Sequence, residues 1–272
     1  MGSLFSFINY SKPGPGVPKN EPSKPRVIMF MILYIRKFGN LVKLNMLFSL
    51  FNIPALLLTT VLFLIFHGTF QSIFTGEMYF TLIMFFTFSA VFSSIPLITT
   101  GPAQAGFTYV LRNYSRQEYA FIFSDFKEHA LKNFKQSMII SLIDFIVILI
   151  IFVNIYICTS EHINSFLALV SLYFIGLLSL FFYMMHLYIY PLLVTFNLSV
   201  KHIYKNAFIF SMVKFFPNVG ILILCFALSA IPFLLFPVMA VILFPFITLS
   251  TIGFITNFYT YPILEKYMIN KH

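Results

Sequence analysis

Long apolar runs separated by short polar breaks dominate the chain. A helix needs about 20 apolar residues to cross a bilayer. Six stretches read that way, at 43–66, 78–99, 137–158, 166–195, 218–235 and 239–261. Pro232, Pro237 and Pro245 crowd the boundary between the last two. Proline ends or kinks a helix there, because it removes a donor and clashes with the preceding turn. Two other segments follow a different pattern. Residues 118–135, EYAFIFSDFKEHALKNFK, place apolar residues at 119, 123, 126, 130 and 134, a helical stripe opposite a polar face. Residues 201–216, KHIYKNAFIFSMVKFF, have a similar layout. Such helices lie in the membrane interface with the stripe toward lipid. The expected fold is all-α: a polytopic membrane protein of six transmembrane helices in three hairpins, plus basic amphipathic interfacial helices.

The string AFIFS occurs at 120–124 and again at 207–211, followed in both places by a lysine, Lys127 and Lys214. Arg36, Lys37, Phe38 and Asn40 stand in a related position before the first run. Two readings stand: three repeated units, each a basic interfacial helix followed by a hairpin, or a chance identity in a Phe-rich chain. Residues 11–26 carry five prolines and no apolar period. Residues 1–26 are therefore expected to form a polar, Pro-rich cytoplasmic tether, and 27–272 a single helical membrane domain.

Composition agrees with lipid as the solvent. The chain is 60% hydrophobic, 9% charged and has a mean hydropathy of +0.92. Soluble domains are nearer a quarter charged. The connections at 67–77, 159–165 and 236–238 contain neither Lys nor Arg. The positive-inside rule then puts both termini in the cytoplasm, with a bacterial plasma (inner) membrane as the expected location. The net charge of +9 becomes one leaflet's cations facing anionic head groups, and no nucleic acid is needed to explain it. Trp is absent, so Tyr and Phe are expected to mark the interface. Met1–Tyr10 lacks the marks of a signal peptide, and the myristoylation-like MGSLFS is read as coincidence. Cys158 and Cys225 fall at different expected depths, with neither disulfide nor metal-ligand spacing.

Residues 93–118, SSIPLITTGPAQAGFTYVLRNYSRQE, join a greasy run to a basic one. Thr100 or Gly101 can cap a new helix with Pro102 in its first turn, where a missing N–H costs nothing. Gly101 and Gly106 then allow close helix packing, and Arg112 and Arg116, one turn apart, reach toward lipid phosphates. An anion site at the helix N-terminus is the competing reading. Arg112 lies about 15 Å along the axis from Pro102, too far to share that anion, so the corner is preferred.

The segments NYSKPGPGVPKN (9–20), KLNMLF (43–48), 99–136 and KNAFIF (205–210) resemble the YesL-like family of bacterial integral membrane proteins. The resemblance implies a helical inner-membrane protein of uncharacterised biochemistry, often encoded beside carbohydrate uptake systems. It implies no catalytic residues.

Asp144 is the one acid inside an expected span, and His186 lies at a similar depth on the next. On antiparallel neighbours they meet, as a structural pair or as a relay for protons or a cation-linked solute. Lys43 is the alternative partner for Asp144. A buried carboxylate must pair or protonate. Asn45, Asn52, Asn154 and Asn257 are expected to bond between helices. Asp125 and His129, at i and i+4, read as a polar face behind a Ser124 cap, since a metal site needs three or four ligands. No hydrolase, zinc or phosphate-loop motif is present, so no catalytic residue, metal or cofactor is expected. Two functions compete. One is a non-enzymatic accessory to a transport system, with the bilayer and a membrane protein such as a transporter permease as partners. The other is a small-solute or proton-coupled transporter using Asp144 and His186. A lipid-modifying enzyme is a third class, without an identifiable nucleophile.

Overall fold

A computed structural model describes residues 25–55, 57, 58, 61, 99–159 and 166–269. Regular structure among them is helical: α1 Arg26–Phe51, α2 Gly101–Ser115, α3 Ile122–Lys132, α4 Phe134–Thr159, α5 Phe166–Thr195, α6 Val200–Val213, α7 Phe215–Leu235, α8 Pro237–Leu243 and α9 Leu249–Leu264. Helical π turns at Phe244–Thr248 and Glu265–Ile269 extend the last two. Among the described residues, four stretches are long and apolar enough to cross a membrane: Phe134–Cys158, Phe166–Thr195, Phe215–Leu235 and Pro237–Ile269. They coincide with the last four of the six expected spans. The expected span at 78–99 apart from Thr99, the end of the one at 43–66, the 67–77 connection, residues 160–165 of the 159–165 connection and residues 1–24 of the tether lie outside the described residues.

The first helix departs from expectation. It begins at Arg26 rather than near 43 and runs through Arg36 and Lys37 without a break. Its inward side is Leu33, Leu41, Leu44 and Phe48, at helical spacing. Arg36 is exposed, and Lys37 Nζ lies 5.0 Å from the Tyr114 ring centre, so both charges avoid burial without ending the helix. Asn52 ends it, and its Oδ1 accepts the Thr100 N–H at 2.8 Å, tying this end to the start of α2.

The segment read as a corner is the centre of the fold. α2 packs against α1, α3, α4, α5 and α9, and Gly101 and Ala103 through Thr108 are all buried. Small residues make this possible. A Cβ on Gly101 would strike the Ser137 carbonyl of α4, and one on Gly106 the Phe126 carbonyl of α3. From the far side, a Cβ on Gly253 of α9 would crowd Leu111 and Phe107 of α2. The helix closes with the Gln117 N–H bonded to Tyr114 O and the Glu118 N–H to Asn113 O. Gln117 takes the left-handed φ of 63° that this closure requires.

α3 and α6 are shorter than their segments suggested. Tyr119 precedes α3 and Phe134 begins α4, so neither belongs to the α3 stripe. Phe126, expected in lipid, is instead buried against α2. The α3 cap is Phe121 rather than Ser124, and the Asp125 carboxylate reaches back to accept the Phe121 N–H at 2.8 Å. Each short helix runs into a long apolar one through a single residue, Asn133 before α4 and Lys214 before α7. The two AFIFS strings are not placed alike: the first straddles the start of α3, the second lies inside α6.

Prolines shape the last runs. Phe236 (φ −138°, ψ 64°) breaks the chain between α7 and α8. Pro245 does not end its run but is absorbed in a π turn. Asn45 holds that turn, donating to Phe244 O at 2.9 Å and accepting the Ser250 N–H. Asn154 bonds Ser171 at 2.9 Å between α4 and α5. Asn257 departs from the expected bond between helices, donating within its own helix to Gly253 O.

Candidate functional site

α4 and α5 pack as an antiparallel pair, since Asn154 meets Ser171 while Asp144 meets His186. His186 Nε2 lies 3.0 Å from Asp144 Oδ1, with both side chains at 0% exposure. The approach is close enough for an ion pair but off the line of an aligned hydrogen bond. His186 Nδ1 lies 2.8 Å from Phe182 O. A carbonyl only accepts, so Nδ1 carries a hydrogen. Nε2 and Oδ1 would then confront each other as two lone pairs unless one proton lies on one of them. A bare carboxylate is expensive in this setting, and the imidazole is the ionisable group placed to offset it.

Two tyrosines complete the surroundings. Tyr204, from amphipathic α6, donates its hydroxyl to Asp144 Oδ1 at 3.0 Å. Burial, and then the neighbouring Asp144, push the Tyr204 phenol well above its ordinary pKa. Tyr190, one turn past His186, lies 3.5 Å from Ser141 Oγ, whose own hydrogen goes to Thr99 O at 3.1 Å. Asp144 Oδ2 has no hydrogen-bond partner among the described residues. Behind His186 is a cavity of about 30 Å³, where Gln104, Thr108, Tyr190, Thr256 and Asn257 are among the lining residues. That is room for a water and supplies the polar partners a water needs. Pro191 lines it too, and its missing N–H leaves the Leu187 carbonyl without its usual donor.

Residues 41–155 match the family model described as Protein of unknown function, DUF624. The DUF624 segment spans the second half of α1, all of α2 and α3, and most of α4. Asp144 lies inside it, while His186 and Tyr204 lie beyond it. The YesL-like resemblance is consistent with this match. Its stretches at 43–48 and 99–136 fall within the DUF624 segment, and those at 9–20 and 205–210 outside. No curated protein and no solved structure matches the chain.

Within the DUF624 segment, the other residues singled out from sequence are placed as follows. Lys43 is exposed and does not approach the buried Asp144. Arg112, expected at lipid phosphates, donates to Val194 O at 2.8 Å and to Asn113 Oδ1 at 2.9 Å. It thereby serves the free carbonyls at the end of α5, where a cation also suits the helix dipole. Its guanidinium lies 4.4 Å from the Tyr109 ring centre, and burial lowers its pKa. Arg116 pairs with Glu118 at 3.1 Å and sits 5.0 Å from the Tyr261 ring centre. Pro102 occupies the first turn of α2, and Gly101 and Gly106 are the close contacts already described. His129 stacks on Tyr109, and burial holds its pKa below the ordinary imidazole value. Among the described residues, no group of three or more His, Cys, Asp or Glu side chains is arranged to hold a metal.

Sequence reasoning missed Tyr204 and Asn218. Asn218 Oδ1 accepts both Tyr188 and Tyr259 hydroxyls at 2.7 Å, and its Nδ2 donates to Phe210 O at 3.1 Å. One side chain thus joins α5, α6, α7 and α9. The available signal was a lone Asn heading an apolar run after Pro217.

Proposed function

We propose that this chain is a non-enzymatic integral inner-membrane protein accessory to a transport system such as carbohydrate uptake. In this reading it is multi-pass with both termini cytoplasmic, it faces anionic head groups, and it docks a second membrane protein such as a permease. The observation that carries the reading is the pair of short helices α3 and α6 on a densely packed body. They present Lys127, Glu128, Lys132, Lys201 and Lys205 at the surface, beside exposed Phe123, Phe208 and Met212. Mixed charge next to apolar side chains suits a contact made at a membrane surface. The YesL-like resemblance supplies the transport setting. Mild-detergent extraction from native membranes, with cross-linking from Lys132 or Lys205, tests it. Recovery of a permease cross-linked at those positions is expected, and recovery of the chain alone at every cross-linker length would sink the reading.

A second reading, a small-solute or proton-coupled transporter, is favoured by the Asp144–His186 contact. Purified protein in liposomes distinguishes the two. Flux that depends on a proton gradient and disappears in Asp144→Asn supports the transporter.

A further inference from the structure

We propose that Asp144 and His186 form a proton-binding site whose occupancy is read out at the membrane surface by α6 through Tyr204. The inference requires neither partner docking nor solute movement, so failure of the functional reading leaves it standing.

The site has three parts. The first is the pair itself, fully buried with Nε2 3.0 Å from Oδ1 and, in this proposal, sharing one proton. Adding a second proton makes the pair cationic, and removing the first makes it anionic. Either change alters what Oδ1 offers to its neighbours. The second part is a neighbouring space: His186 is among the residues lining a cavity with room for a water and a polar lining. The third part is the reader. Tyr204 donates to the same oxygen, Oδ1, that faces His186. A hydrogen bond to a charged acceptor is roughly twice as strong as one to a neutral acceptor. Protonating the carboxylate therefore weakens the hold of α4 on α6. Asp144 Oδ2, buried without a hydrogen-bond partner, leaves the carboxyl group an unused oxygen for the added proton.

The surroundings leave this chemistry to the pair. Besides His186, Tyr204 of α6 bonds Asp144 and Tyr190 of α5 lies near it. Arg112 of α2 is committed to the end of α5. Cys225 of α7 lies against Thr256. Tyr259 of α9 is bonded to Asn218, and Tyr261 to Glu265. Lys201, His202 and Lys205 of α6 are exposed.

The chain has no Trp, so one introduced on α6 reports alone. Phe208→Trp places it on an exposed position of that helix. In lipid vesicles, Trp emission and the infrared carboxyl band are followed together from about pH 5 to about pH 8, where imidazole changes charge. The expected result is an emission change that tracks a change in the carboxyl band. Tyr204→Phe should keep the band change and lose the emission change. Asp144→Asn should lose both, and His186→Gln should displace the band. Emission that does not vary with pH, or that titrates unchanged in Tyr204→Phe, overturns the proposal. If Asp144→Asn does not accumulate, the Tyr204→Phe and His186→Gln arms decide alone: an unmoved carboxyl band in His186→Gln also overturns it.

Discussion

The same five residues, AFIFS, meet opposite fates in α3 and α6. In the first copy Phe121 and Phe123 are exposed, and the chain becomes helical only at Ile122. In the second, Ala207, Phe210 and Ser211 are buried, and the whole string lies inside α6. The difference comes from what each helix rests on. α3 is held by a close backbone contact, its Phe126 carbonyl lying on Gly106 of α2, with the buried Phe126 ring and His129 stacked on Tyr109 beside it. α6 is held by side chains. Phe210 stacks on Tyr188, Asn218 takes up the carbonyls of Phe210 and Ser211, and Tyr204 reaches Asp144. An identical string is thus a cap in one place and core in the other, and it supports a common structural repeat only at the level of short helix, one-residue break and long helix.

The contrast can be broken most strongly at its aromatic positions. Phe210→Ala should cost about 3–5 kcal/mol, the range for emptying a buried aromatic site. Phe123→Ala, at 61% exposed against 6% for Phe210, should stay within about 1 kcal/mol. Chemical unfolding in a defined detergent measures both, and equal losses would erase the distinction. Next comes the backbone anchor of α3. Gly106→Ala should destabilise by about 1–3 kcal/mol or more, because α2 and α3 must separate. Gly176→Ala, with no neighbour within 4 Å, is the control and should be neutral or slightly favourable. A smaller effect is expected at the start of α3. Asp125→Ala removes the acceptor of the Phe121 N–H and should cost about 1 kcal/mol, read as early fraying in hydrogen exchange of α3.

The smallest effect depends on pH. Burial against Tyr109 depresses the pKa of His129 in the folded protein. The stability this group contributes is complete above the ordinary imidazole pKa of about 6.5. It is lost as pH falls through the lower folded value, because the unfolded chain takes up the proton first. Replacing His129 with Gln should flatten that part of the acid-side fall in Tm. An unchanged profile would show that the stacked ring is indifferent to its charge.

Much of the helical layout was legible along the chain. The run at 166–195 reads from its apolar length alone, and Gly101-Pro102 announces a helix start through the proline in its first turn, although the Thr100 hydroxyl bonds Phe51 O rather than capping the helix. The Asp144–His186 meeting was also legible, because two rare ionisable groups at matched depth on consecutive helices have few other partners. Asn45, Asn52 and Asn154 were readable as polar groups that need partners in lipid. Arg112 was not: its sequence neighbours point to an interface, but the carbonyl it serves belongs to residue 194.

The sequence by itself determined which later stretches form long apolar helices, because a backbone in lipid must satisfy its own hydrogen bonds and apolar length decides which stretches can do so. Only the tertiary structure decided which faces of those helices meet protein. Lipid tails are as apolar as a Leu-rich core, so a helix that is hydrophobic all round carries no mark of which side is buried. That is why the small-residue helix at 101–115 proves central, why Phe126 turns inward and Phe123 outward, and why Tyr204 rather than Lys43 reaches Asp144.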